Sequence, residues 1–257
     1  MADGDDILEI SDLSVRFGGV VALDAVTLSV ARGQICGLIG PNGAGKTTIF
    51  NCLSRLYTPQ QGAIRFDGAA LLDLAVHEIA RNGIGRTFQH VALFHTMSVL
   101  ENIQIGGWGH SHASFLRGFC RTGAMRRDEA ALAEKATGIA EFLGLGRFAE
   151  TPVGRLPFGI QKRVELGRAL ALEPQLLLLD EPAGGLNHEE VAALRETIVA
   201  AHEKFGLTIL LVEHNVDLVM AISEKVIVLD FGRKIAEGTP DEVQNNPDVI
   251  RAYLGDL

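Results

Sequence analysis

Apolar residues recur at alternate positions in the first part of the chain. Leu13, Val15 and Phe17 lie on one face of an extended run, Val26, Leu28 and Val30 on one face of the next, and Gly18-Gly19 separates the two. A period of two broken by a glycine pair predicts an antiparallel hairpin across Leu8–Val30, laid beside the strand that follows. That strand is the unbroken apolar run Ile35-Cys36-Gly37-Leu38-Ile39, and a helix is expected over Lys46–Leu56. Pro59 and Gly62 then break the chain. Ala63–Phe66 with Asp67-Gly68 predicts a short strand and turn, a short helix follows near 77–81, and Arg86-Thr87-Phe88 predicts a strand ending at Gln89.

From about residue 90 to 156 the pattern becomes helical. Val99–Ile105 and Arg126–Leu143 are the clearest helices, joined by an irregular stretch, Gly106–Gly123, that holds Trp108, Phe115, Leu116 and Phe119. Strands then return between helices. A helix over Gly159–Leu172 precedes Leu176–Leu179, a continuous apolar run of the kind a sheet covered on both faces requires. Next come a helix over Glu189–Lys204, a strand over Leu207–Val212, strands Val226–Leu229 and Lys234–Ala236 around Asp230-Phe231-Gly232, and two short helices opened by Asp241 and Pro247. This order predicts one α/β domain: residues 1–89 and 157–240 form the core with an antiparallel β part, 90–156 are an inserted helical subdomain, and 241–257 are a tail.

Composition narrows the picture. With 257 residues the chain can bury a full core, and a formal charge of -9 argues against broad nucleic-acid binding, which leaves a basic footprint. Cys36, Cys52 and Cys120 are odd in number and lack metal spacing, so they are expected to be reduced thiols. The acidic start, Met1-Ala2-Asp3-Gly4-Asp5-Asp6, carries no signal-peptide pattern. Ala169–Leu179, the longest apolar stretch, is interrupted by Glu173 and Pro174 and is too short to cross a bilayer, so a membrane role would run through a partner.

The chemistry centres on Gly40-Pro41-Asn42-Gly43-Ala44-Gly45-Lys46-Thr47-Thr48, which fits G-x-x-x-x-G-K-[ST] between a strand and a helix. Glycines let successive N–H groups turn inward around an anion, and the following helix offers its positive end to the same charge. Lys46 would reach the β- and γ-phosphates of a nucleoside triphosphate, Thr47 would ligate Mg²⁺ and Thr48 would add a phosphate contact. Downstream, Asp180 at a strand end can hold Mg²⁺ through water, and Glu181 can polarise an attacking water. Three residues keep two readings each. Phe17 is core packing or a platform for a purine, Gln89 is a loop residue or approaches the metal, and His214 is a structural histidine or a γ-phosphate sensor at another strand end. His110 and His112 are expected at the surface.

With these motifs in order, the chain resembles the nucleotide-binding subunit of an ABC transporter over nearly its full length, a P-loop NTPase cassette. The resemblance implies an adenine platform at Phe17, the Walker A loop at Gly40–Thr48, the Q-loop at Gln89, the Walker B strand ending at Asp180, catalytic Glu181 and switch His214. It also implies a head-to-tail dimer enclosing two ATP molecules. Within the family the chain is most similar to the LivG-type subunits of branched-chain amino-acid importers, through Gly83-Ile84-Gly85-Arg86-Thr87-Phe88-Gln89, the segment after Ile105, Glu181–Asn187 and the ending Asn245–Gly255. That likeness implies permease partners, a second ATPase subunit as heterodimer partner with a homodimer as the other form, a periplasmic solute-binding protein acting indirectly, and a place on the cytoplasmic face of the inner membrane.

The family signature L-S-G-G-Q stands here as Leu156-Pro157-Phe158-Gly159-Ile160, keeping Leu156 and Gly159 but not the serine or the terminal glutamine. Asn187 replaces the usual aspartate of the D-loop. Two rival functions are an exporter of lipid or lipopolysaccharide, and a soluble ABC protein acting on DNA or ribosomes. The second usually carries two cassettes or a long coiled coil, and this chain has one cassette and no sustained heptads.

Overall fold

In the computed structural model, residues 6–89, 91–108 and 123–254 are described. The expectations for His110, His112, Phe115, Leu116, Phe119 and Cys120 lie outside them. Strands β1 (Asp6–Phe17) and β2 (Val20–Ala31) pair antiparallel from Phe17 opposite Val20, closed by Gly18-Gly19 with Gly18 at φ +56°. The alternation is not strict along them. Asp12 and Ala25 take φ +49° and +50° where the register shifts, so the inward set steps from Leu8 and Ile10 to Leu13 and Val15.

The hairpin does not lie beside the strand leading to the phosphate loop, as its place in the chain suggests. It belongs to a separate sheet of order β2-β1-β4-β5, with β4 (Gln61–Phe66) and β5 (Ala69–Ala70), and meets the main sheet through side chains. Alternation alone cannot distinguish an edge-on neighbour from a stacked one.

The second sheet has the order β10-β9-β3-β8-β7-β6. Its members are β3 (Ile35–Ile39), β6 (Ile84–Arg86), β7 (Leu176–Asp180), β8 (Thr208–Val212), β9 (Lys225–Asp230) and β10 (Arg233–Gly238). All pair in parallel except β10, an antiparallel edge. Every residue of β3, β7 and β8 is buried, and side chains alternate between two cores. Leu38, Leu178, Leu210 and Leu229 face the antiparallel sheet and helix α1 (Lys46–Leu53), together with Ile49 and Phe50. Ile39, Leu179, Leu211 and Val228 face the opposite side, where α3 (Val99–Gly107), α4 (Gly123–Phe142), α5 (Phe158–Ala171) and α6 (His188–Phe205) supply Ile103, Ala140, Val164 and Ile198.

Some boundaries move. The strand expected at Arg86–Phe88 occupies Ile84–Arg86, because after Thr87 the backbone N–H of Phe88 turns to Glu165 instead of continuing the ladder. Helix α1 stops at Leu53 and not at Leu56, since Arg55 adopts φ +59° and the N–H groups of Leu56 and Tyr57 close back on Asn51 O. Besides α2 (Val76–Arg81), the structure adds α7 (Val216–Ile222), whose cap, Asn215 Oδ1 accepting from Leu218 N, follows His214. Thr239 caps α8 (Pro240–Gln244), so Pro240 and not Asp241 opens it, and α9 (Pro247–Leu254) ends the described chain.

Candidate nucleotide site

β3 delivers the chain to Gly40, and the loop that follows wraps back into α1. Two glycines are required here by geometry. Gly40 has φ +150° and a Cβ there would lie 2.1 Å from Leu229 O; Gly45 has φ +105° and its Cβ would meet Leu23 Cδ2 at 2.6 Å and Ala22 O at 2.7 Å. Pro41 is half-buried, Asn42 and Gly43 are exposed, and Ala44 and Lys46 are buried. Lys46 Nζ donates to Gly40 O at 2.7 Å and to Pro41 O at 3.0 Å. Burial pushes its pKa down, and the Glu181 carboxylate partly offsets that. Thr47 is exposed and Thr48 half-buried on the first turn of α1, where free N–H groups and the helix dipole favour an anion.

Opposite the loop, β7 ends in Asp180, whose Oδ2 accepts from Arg86 Nη2 at 2.7 Å. The next residue, Glu181, adopts φ +48°, an uncommon conformation for a residue with a Cβ. Its carboxylate is held on both sides: Oε1 lies 2.9 Å from His214 Nε2, and Oε2 accepts from Gln89 Nε2 at 2.8 Å. Gln89 follows β6 and His214 follows β8, so three residues at the carboxyl ends of neighbouring parallel strands converge on one point, where ligands sit in open α/β sheets. Thr47, Asp180 and Gln89 offer a hydroxyl, a carboxylate and an amide, an all-oxygen donor set suited to Mg²⁺ with phosphate oxygens. Among the described residues no cluster of three His, Cys, Asp or Glu side chains could hold a metal alone.

Phe17 sits at the end of β1 with 46% of its surface exposed, and its ring meets Tyr57 edge-on, centroids 5.0 Å apart. Leu156 and Gly159 are gathered elsewhere. Leu156 is buried in the helical-side core, and a Cβ at Gly159 would lie 2.6 Å from Glu190 Oε1, on α6. Phe158, half-exposed at the first turn of α5, rests on Gly185, which has φ +80° and could not hold a Cβ without meeting that ring at 2.9 Å.

Sequence reasoning missed four side chains of this neighbourhood. Arg86 was legible only as a charge beside an apolar strand, and Lys162 and Glu165 only as two of several charges along a helix, with nothing to mark them as the buried ones. Glu213 is 3% exposed, and its carboxylate accepts from Ala183 N at 2.5 Å, His214 N at 3.0 Å and Asn215 N at 3.3 Å. Burial nevertheless pushes its pKa up. Nothing in the local text announces that a residue beside His214 reaches back to the segment after Glu181.

Two family models match: "ABC transporter" over residues 23–184 and "Branched-chain amino acid ATP-binding cassette transporter" over residues 233–256. The chain is 44% identical over 250 residues to the high-affinity branched-chain amino acid transport ATP-binding protein BraF of Pseudomonas aeruginosa, covering 97% of this chain and 98% of that one. It is 42% identical over the same shares to LivG of Escherichia coli, which bears the same description. Its fold matches the crystal structure of the ATP-binding cassette MJ1267 in its ADP conformation, with TM-score 0.84, 32% identity and coverage of 98% of this chain and 100% of that one. A nucleotide-free cassette from an ABC transporter matches with the same TM-score at 31% identity. Identity at this level along almost the whole of both chains, on a shared fold, fixes the family: the chain belongs to the ATP-binding cassettes of ABC transporters.

Proposed function

We propose that this cassette hydrolyses ATP to drive an importer of branched-chain amino acids or a related small organic solute. The observation that carries the hydrolytic reading is the Glu181 carboxylate, held between Gln89 Nε2 and His214 Nε2 one residue past the strand end at Asp180. A carboxylate fixed on two sides beside a phosphate loop is placed to take a proton from an attacking water. Lys46 and the amides of Gly43–Thr48 hold the phosphates, and Phe17, backed by Tyr57, stacks on adenine. Mg²⁺, held by Thr47, Asp180 and Gln89, would neutralise phosphate charge. His214 orients Glu181 and senses the γ-phosphate.

The solute class rests on the likeness to BraF and LivG and on the match of residues 233–256. No helix among the described residues is long and apolar enough to cross a membrane, so in this reading the chain reaches the inner membrane's cytoplasmic face through permease subunits. A groove of about 370 Å³ beside the Gln89 segment, lined by Leu56, Val76, Ile79, Phe88 and Ile105, is the surface they would engage. In this reading the core of residues 1–89 and 157–240 binds the nucleotide, the helical segment 90–156 beside that groove passes the closure of the ATP sandwich to the permeases, and 241–257 is a tail.

Each ATP would lie between the phosphate loop of one cassette and the signature of another. Leu156, Pro157, Phe158 and Gly159 lack the serine hydroxyl, and Pro157 lacks a backbone N–H. A heterodimer with a second ATPase bearing a more regular signature follows, and the two sites are unequal. The test is the purified complex: count its ATPase chains, then compare Glu181→Gln with the matching change in the partner. Glu181→Gln binds ATP but turns over on the order of 10²–10⁴ more slowly. Near-wild-type turnover would refute the hydrolytic role, and a homodimer with full transport activity would refute the heterodimer.

A further inference from the structure

Helix α5 carries charged residues at a spacing of three, Lys162, Glu165 and Arg168, a stripe of neighbours along one side of the helix. They do not face water as a charged stripe ordinarily does: Lys162 is 6% and Glu165 2% exposed. All three are turned onto the backbone of the segment containing Gln89. Arg168 donates to Ala92 O, and Glu165 accepts from Phe88 N at 3.2 Å and from the Ala92 backbone. Lys162 Nζ lies 3.5 Å from Gln89 O and 3.4 Å from Glu181 O.

The lysine therefore bridges the main chains of the two residues whose side chains are bonded to each other, Gln89 Nε2 to Glu181 Oε2. The three links close a ring through Gln89, Glu181 and Lys162. Glu181 needs such support, because its φ of +48° is strained and persists only where surrounding contacts over-determine it. Glu165, one turn along, is buried enough that its pKa is pushed up, and the nearby Lys162 ammonium partly offsets that. On its other side the ammonium faces the ring of Phe158, 5.6 Å from the centroid, and Phe158 is the half-exposed aromatic at the signature end of α5.

We propose that Lys162 is a positioning residue for hydrolysis: it locks the backbones of Gln89 and Glu181 together, aims the carboxylate, and ties that geometry to Phe158 at the signature. The proposal rests on Glu181 being the general base. Through Lys162, displacement of Phe158 by a second cassette is felt at Glu181 of the same chain.

The test uses the full chain in its complex, with ATP as ligand. Lys162→Met, which keeps the stem and removes the charge, lowers single-turnover hydrolysis roughly 10–100-fold through misplacement of the reacting groups, while ATP affinity stays at the wild-type value. Lys162→Arg restores most of the rate. In a Glu181→Gln background Lys162→Met adds little further loss, because the lysine acts through that carboxylate. If Lys162→Met does not fold, Lys162→Gln, which keeps a donor without charge, carries the same comparison. Wild-type turnover in Lys162→Met beside an inactive Glu181→Gln overturns this proposal alone, as does an undiminished additional loss in the double variant. Wild-type turnover in Glu181→Gln overturns the reading of the base and this proposal with it.

Discussion

Arg86 and Asp180 form an ion pair 2.7 Å long whose side chains are 8% and 3% exposed. The same guanidinium donates through Nη1 to Phe50 O, Asn51 Oδ1 and Ser54 Oγ, and lies 5.0 Å from the centroid of the Phe88 ring. One arginine thus joins the end of β7 to the last turn of α1, the helix that begins at the phosphate loop. A buried carboxylate left without its counter-charge is expensive, typically about 3–5 kcal/mol. Arg86→Met is therefore expected to lower the unfolding free energy by about that amount in denaturant titration. A change below about 1 kcal/mol, the size expected of a surface pair, would show that Arg86 does not hold Asp180.

Phe17 and Tyr57 meet at 5.0 Å with planes inclined by 67°, and both rings are partly exposed. Stacking of a base on an aromatic is worth about 1–3 kcal/mol by alanine substitution, so Phe17→Ala weakens ATP binding roughly tenfold or more and leaves tripolyphosphate binding unchanged. Tyr57→Ala has a smaller effect in the same direction, since it removes only the support of the ring. Titration calorimetry with both ligands checks this. Equal losses for the two would identify Phe17 as packing alone.

Gly40 and Gly43 both have positive φ, +150° and +82°, but only Gly40 is hemmed in, with Leu229 O 2.1 Å from the place a Cβ would take. The obstacle is backbone, which cannot swing aside. Gly43→Ala meets open space and is expected to cost only the conformational strain, about 1–2 kcal/mol. Gly40→Ala should be clearly more destabilising and should abolish nucleotide binding. Thermal melts with and without ATP separate the two, and equal melting temperatures would contradict the packing argument.

Glu213 supplies a pH test. Burial raises its pKa above the ordinary 4.5, so between 4.5 and the raised folded-state value the folded chain keeps a proton that the unfolded chain has lost. Its contribution to stability therefore falls as pH rises through that window and recovers on acidification. Relative to Glu213→Gln, which cannot titrate, the wild-type chain should gain stability as pH drops from neutral toward 4.5. A stability difference independent of pH would mean that the carboxylate titrates normally.

The central strands β3, β7 and β8 were legible because each is a nearly continuous apolar run, and β3 could be placed because the glycine-rich loop demands a strand before it. By contrast β6, Ile84-Gly85-Arg86, has no such run and its bounds were missed. Gln89, Glu181 and His214 were nameable from their positions at strand ends, and the structure brings the three together. The sheet that owns the hairpin was not legible, because β1 pairs with β4 more than forty residues away. Nor were the partners of Arg86, Lys162, Glu165 and Glu213. Each of these charges is satisfied by backbone or carboxylate from a distant segment, and a charge's need for a partner does not say where the partner is. Helix α7, Val216-Asp217-Leu218-Val219-Met220-Ala221-Ile222, is apolar at all but one position, so no helical period stands out from its strand neighbours.

Along β7 and β8 successive side chains enter different cores, so the main sheet works as a septum. Leu178 shares its compartment with Ile49 of the phosphate-loop helix, and Leu179, its neighbour in the chain, shares one with Ile103 and Val164. Energetic kinship in this protein thus follows parity of position more than nearness in sequence. Truncations of Leu178 and Leu179 should add almost independently, whereas those on one side of the septum should couple where their side chains touch. The compartment under the nucleotide loop and the compartment under the helices can each be repacked with little effect on the other. The two compartments meet at the strand ends, where Asp180, Glu181 and Glu213 lie.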